Sequence, residues 1–169
     1  MDATALRALQ APLKEKYKQD ASAARYTIRA RGEVDIAKIG CRVERNVATS
    51  LAGLHPACGG TGEELCSADM LLQALVACAG VTLASVATAM SIPVDRATVL
   101  AEGELDFRGT LGIDKTVPVG FSSIRLVLEL VTSAPQDKLD TLLKLTERYC
   151  VVLQTLQNKP ELGAVIRRG

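Results

Sequence analysis

From Ser67 to Ser91 the chain carries one formal charge, Asp69, in a helix-length run of Ala, Leu, Val and other small residues. A helix that is apolar on all sides belongs either in a protein core or in a membrane. This run is long enough to cross a bilayer, for which about 20 residues suffice. Gln73, the Ser and Thr residues, the many alanines and the lack of flanking aromatic or basic anchors favour a buried helix of a soluble domain. Ala74, Ala77, Gly80, Ala84 and Ala87 would let a second helix approach closely. One small domain has too little surface to cover such a helix, so a homodimer is expected. Ser67 reads as its cap, Asp69 suits the positive end of its dipole, and Pro93 reads as its stop.

Around this helix the pattern changes several times. Residues 3–18 read as a surface helix with Leu6, Leu9, Leu13 and Tyr17 on one stripe. From Tyr26 to Val47 the period is two: Ile28, Ala30, Gly32, Val34 and Ile36 alternate with charged residues, and Gly40 offers a turn or bulge. Residues 50–66, with four glycines and Pro56, read as a loop. Thr98–Arg108 and Phe121–Val131 read as paired strands, with Val99, Ala101, Gly103, Leu105 and Phe107 facing inward. Ser133-Ala-Pro-Gln136 resembles a capping box that opens a helix carrying Leu139, Leu142, Leu143, Tyr149, Cys150 and Leu153. Leu162–Arg167 offers a last edge strand. The order implies an α+β fold with antiparallel sheets, residues 1–20 forming an N-terminal helix and 21–169 a single domain.

Charge excludes several functions. Twenty basic residues against 19 acidic ones leave no footprint for nucleic acid. Three Tyr, two Phe and no Trp leave no platform for stacking bases. Five cysteines form no regular disulfide framework, and the N-terminus has no charged-then-apolar signal pattern, so a reducing cytoplasm is expected.

What remains is thiol chemistry. Cys78 lies near the middle of the long helix and Cys150 near the end of the last one. A lone helical cysteine is by base rate an inert core residue. Two of them are the minimum equipment for a peroxide-reducing thiol, whose sulfenic acid needs a second thiol to resolve it. His55, Cys58 and Cys66 offer zinc ligands but lack the close C-x2-C pairing that zinc sites usually show. Gly59-Gly-Thr-Gly62 is followed by no Lys-Ser/Thr pair and reads as a flexible loop, not a phosphate cradle. No Gly-x-Ser-x-Gly elbow accompanies the single histidine.

From about Tyr26 onward the chain resembles the OsmC/Ohr family of osmotically inducible proteins and organic hydroperoxide reductases. The resemblance rests on Cys66-Ser67-Ala68-Asp69 leading through an Ala/Leu-rich helix to Val76-Ala77-Cys78, and on Glu147-Arg148-Tyr149-Cys150. It implies an intertwined homodimer with two long central helices packed together and no metal or organic cofactor. It also implies Cys78 as the peroxidatic nucleophile and Cys150 as its resolving partner, assisted by an arginine and a carboxylate. Departures are visible: Ser67 stands where the family has Pro, Ala68 where one branch has Glu, Asp69 where another has Glu, and Val151 where Pro often follows. Asp69 is thus the candidate carboxylate, and Arg42 the candidate arginine, with Arg31 and Arg45 behind it.

The expected function is a thiol peroxidase acting on organic hydroperoxides, regenerated by a dithiol such as a protein lipoyl group. An alternative is an OsmC-like small-molecule-binding or stress-associated protein with little peroxidase activity, favoured by Ala68. A zinc-binding protein is the lesser alternative. The sequence assigns no role to Cys41, Cys58 or Cys66.

Overall fold

The computed structural model describes residues 3–37, 40–43, 52–63 and 65–168, giving backbone alone for 3–7, 28–30 and 40–43. Helix α1 (Ala3–Gln19) leads through a 3-10 turn into β1 (Arg25–Asp35), which turns into β2 (Gly40–Val43). Two short strands follow, β3 (Ala52–Gly53) and β4 (Leu65–Cys66), and then the long helix α2 (Ser67–Ala89). Next come β5 (Arg96–Asp106), a helical turn α3 (Phe107–Thr110), β6 (Phe121–Val131), α4 (Gln136–Tyr149) and α5 (Val151–Gln157). The main sheet is antiparallel in the order β2-β1-β5-β6, while β3 and β4 pair in parallel, which departs from the expected all-antiparallel arrangement.

The period-two patterns are what align this sheet. Register sets Gly32 opposite Val99 and Val34 opposite Ala97, and Ala101 opposite Leu126, so residues of like polarity share a face. Gly40 is not the turn: it pairs with Asp35 as the first residue of β2, because the alternation of β1 ends at Asp35 and the chain reverses immediately after it. Strands β5 and β6 pair as expected, though residues 107–120 intervene with α3, which the Asp106 carboxylate caps by accepting the Arg108 backbone N–H at 3.0 Å. Gly103 is needed there: a Cβ would lie 2.3 Å from the Phe121 ring.

Helix α2 lies across the inner face of the sheet, and α4 and α5 pack beside it. Leu72, Leu75 and Leu83 of α2 and Leu142 of α4 are fully buried, each contributing about 1.5–3 kcal/mol from removal of apolar surface. The helix passes a length-and-composition test for crossing a membrane, yet half of its most apolar window is already covered within one chain. Its outward stripe, Leu71, Ala74, Val81, Ser85 and Thr88, stays exposed.

Several boundaries differ from the sequence reading for local reasons. Cys66, not Ser67, is the N-cap of α2, and it makes no side-chain cap bond because β4 runs directly into the helix. Ser91 ends α2 before Pro93 is reached: it takes a left-handed φ of 53°, and the Ile92 N–H returns to the Ala87 carbonyl at 2.9 Å. Pro135, not Ser133, is the N-cap of α4, since the Thr132 hydroxyl has already taken the Ala134 N–H. Residues 158–168 form no strand in the single chain, and Leu162, Val165 and Ile166 stand 80%, 78% and 94% exposed.

Residues 54–63 are an ordered turn and not a flexible loop. The Cys58 and Gly60 N–H groups both donate to the His55 carbonyl, and His55 Nδ1 accepts the Ala57 N–H at 3.0 Å. Gly59 adopts φ 91°, and a Cβ on Gly60 would fall 1.7 Å from the Leu54 carbonyl oxygen. Helix α1 clamps this turn through the buried Tyr17, whose hydroxyl donates to the Ala57 carbonyl at 2.9 Å.

Candidate active site

The last helical pattern does not run through Cys150. It breaks there: α4 ends at Tyr149, Cys150 takes an extended conformation at φ −71° and ψ 103°, and α5 starts at Val151. Val151 and Val152 are poor helix formers because they lose rotamer freedom, but no Pro or Gly demands a break here. Backbone bonding continues across it, with the Cys150 N–H donating to Thr146 and the Cys150 carbonyl accepting from Gln154 at 2.9 Å. The break turns the Cys150 side chain fully inward, at 0% exposure, and turns Tyr149 and Val151 outward.

Cys78 on α2, half-buried at the margin of the outward stripe, packs against the buried cluster that holds Cys150, near enough for the two thiols to act on one another. Burial pushes the Cys150 thiol up to about 11, and the neighbouring Cys78 adds to the rise. The backbone amides of Leu153 and Val152 act in the opposite direction, favouring the thiolate. Residues more than seventy positions apart in sequence are therefore brought together by α2 and the α4–α5 break. Both thiols are free, one buried and the other partly exposed, so the fold sets a potential redox pair side by side.

Asp69 belongs to a different place. It precedes Cys78 by nine residues on the same helix, roughly 13 Å along its axis, and its described charged partner is His55. Burial raises the Asp69 carboxyl, while His55 and the Cys66 backbone N–H work to lower it. Burial likewise lowers His55, which Asp69 partly counters. The histidine stacks on Phe107 with ring centroids 4.8 Å apart and meets the edge of Tyr26 at 5.5 Å. The sequence reading missed this pairing: His55 lies in a turn fourteen positions before Asp69, and no spacing motif links them.

Of the candidate arginines, Arg42 stands in β2 opposite Glu33 with backbone alone described, Arg31 is exposed in β1 opposite Leu100, and Arg45 lies outside the described residues. Cys41, opposite Val34, likewise has no described side chain. Cys58 and Cys66 are buried near one another, and burial, followed by Cys66, pushes the Cys58 thiol up to about 11. Among the described residues no three His, Cys, Asp or Glu side chains gather to hold a metal ion, so His55, Cys58 and Cys66 do not form the zinc site weighed from sequence.

Beside the thiols a groove of about 610 Å³ runs between β6 and the α4–α5 pair. Leu126, Leu128 and Leu156 share its lining with the polar Ser123, Glu147 and Gln157, while Thr146 and Leu153, one turn either side of Cys150, form part of its wall.

The fold has a solved counterpart. The crystal structure of an OsmC-like hydroperoxide resistance protein from Jannaschia sp. CCS1 superposes with a TM-score of 0.62, covering 86% of this chain and 95% of that one at 15% identity. At that identity the likeness establishes the fold. No curated protein matches the sequence. The family model for OsmC-like protein matches residues 60–164, a stretch that holds α2, the sheet strands β5 and β6, and both Cys78 and Cys150. With well over half of its length matched, the chain belongs to the OsmC-like protein family.

Proposed function

We propose that this protein is a thiol-dependent peroxidase that reduces organic hydroperoxides through Cys78 and Cys150. The observation that carries the reading is the packing of Cys78 against the buried cluster that holds Cys150, across elements distant in sequence. The Cys78 thiolate attacks the outer peroxide oxygen of ROOH, breaking the O–O bond; the alkoxide leaves and takes a proton as ROH, and Cys78 becomes a sulfenic acid. The Cys150 sulfur then attacks the Cys78 sulfur and expels water, giving a disulfide. An external dithiol, such as a lipoyl group, returns both thiols and is itself oxidised. Arg42 is proposed to supply the positive charge that favours the Cys78 thiolate and Asp69 to hold that guanidinium in place from its distance along α2, the reaction needing no metal or organic cofactor. The hydroperoxide-resistance activity named for the Jannaschia relative supports the same chemistry.

A homodimer and a reducing cytoplasm complete the proposal. The exposed stripe of α2 pairs apolar Leu71 and Val81 with small Ala74 and Ser85, a surface suited to a second α2 at close range. One observation favours the second reading, a small-molecule-binding protein with little peroxidase activity: the groove of about 610 Å³ is large enough for a ligand of its own.

Steady-state consumption of cumene hydroperoxide with dihydrolipoamide as reductant tests the choice. Cys78→Ser is expected to abolish turnover, and Cys150→Ser to permit one turnover that leaves a trappable sulfenic acid at Cys78. Full multi-turnover activity in Cys78→Ser would refute the assignment. Slowed iodoacetamide alkylation of Cys78 at neutral pH in Asp69→Asn and Arg42→Ala would support their roles, and unchanged rates would remove both.

A further inference from the structure

The reading of Cys78 and Cys150 as a redox pair leaves open which sulfur of the disulfide is attacked when the enzyme is reduced. We infer that the reducing thiol reaches the pair at Cys78 and that Cys150 is the sulfur released. The inference rests on the proposed redox pair and adds a direction to its second half.

Thiol–disulfide exchange requires the nucleophile to approach along the S–S axis, on the side opposite the sulfur that leaves. Attack at Cys150 would have to come from the side away from Cys78. Cys150 is 0% exposed and belongs to the buried cluster that also holds Leu75, Val76 and Leu105, so no side of its sulfur is open to a reductant. Attack at Cys78 comes from the side away from Cys150, toward the margin of α2's outward stripe, where the thiol is half-buried. A second subunit packed on the α2 stripe leaves Cys150 enclosed, and Cys78, at the margin of that stripe, is the sulfur that has to stay open to the reductant in the dimer. The surface residues that bracket Cys150, Tyr149 at 56% and Val151 at 70% exposure, point away from it and open no path to its sulfur.

The step balances as follows. The thiolate RS⁻ bonds to Cys78 Sγ and the Cys78–Cys150 bond breaks, leaving Cys150 as a thiolate that takes up a proton. The second thiol of a dithiol then attacks the sulfur of its own mixed disulfide and expels the Cys78 thiolate. The dithiol is oxidised by two electrons and both cysteines are reduced.

The test uses the full-length wild-type protein, oxidised with diamide so that it runs whether or not hydroperoxides are substrates. A short pulse of 2-mercaptoethanol is stopped with acid, free thiols are capped with N-ethylmaleimide, and peptides are mapped by mass spectrometry. The expected product carries 2-mercaptoethanol on Cys78 and the cap on Cys150, in at least tenfold excess over the reverse. An equal or larger share of 2-mercaptoethanol on Cys150 overturns the inference. A protein in which diamide produces no Cys78–Cys150 bond overturns both the inference and the redox pair. A disulfide that diamide forms and cumene hydroperoxide does not would sink the peroxidase reading alone.

Discussion

Oxidising Cys78 and Cys150 to a disulfide should stabilise the fold, and the structure sets the size of the effect. The thiols are neighbours in the fold, and a disulfide acts mainly by restricting the unfolded chain. The loop between them is roughly 70 residues, for which loop-closure entropy gives about 4 kcal/mol at 25 °C. For a chain of this size each kcal/mol moves Tm by about 2–4 °C, so a rise of about 8–16 °C is expected. Far-UV circular dichroism is the appropriate probe, since the chain has no Trp and only three Tyr. Reduced and oxidised samples should be melted at one fixed protein concentration, because a dimer's Tm depends on it. Cys78→Ser and Cys150→Ser should show no shift on oxidation. If mapped Cys78–Cys150 disulfide melts at or below the reduced protein, the thiols do not sit in bonding geometry and the reasoning from their proximity is wrong.

Other consequences can be measured independently. The Cys58 and Cys150 thiols, buried and pushed up to about 11 from 9.0, keep their protons in the folded protein between pH 9 and 11 while the unfolded chain has released them. Stability therefore falls as pH rises through that window, by about 3 kcal/mol per thiol. Urea titrations at pH 8 and 11 should show the loss, and Cys150→Ala should remove about half of the thiol share; equal midpoints at both pH values would contradict it. Asp69→Asn should depress the His55 pKa further, because the carboxylate is what raises it against burial; an unchanged Hε1 titration by NMR would show that the two do not interact. Tyr17→Phe removes the donor to the Ala57 carbonyl and should cost about 1–2 kcal/mol in denaturant melts; a neutral substitution would mean that the turn is held without α1. Val81→Lys places a charge on the exposed stripe of α2 and should convert dimers to monomers in light scattering at micromolar concentration; an unaltered mass would move the interface elsewhere.

The sequence by itself determined the elements whose physics is local or periodic. One charge in a long apolar run specified α2, alternation specified β1 and β5, and a more apolar run specified β6, while the register between them came with the fold. The two cysteines that meet were also legible as a pair, because few other residues of the chain had the chemistry to compete with them. Their meeting was not legible in detail. The helical pattern runs straight through Glu147–Leu153, and only packing against α2 decides that the helix breaks at Cys150 and turns its thiol inward. The same holds at the other end of α2, where the sequence offered Asp69 an arginine and the fold set His55 beside it, carried there by a glycine turn that Tyr17 of α1 holds in place. Periodicity reports which face of an element is dry. Which distant residue fills the space opposite that face depends on how whole elements stack, and that is a property of the tertiary structure.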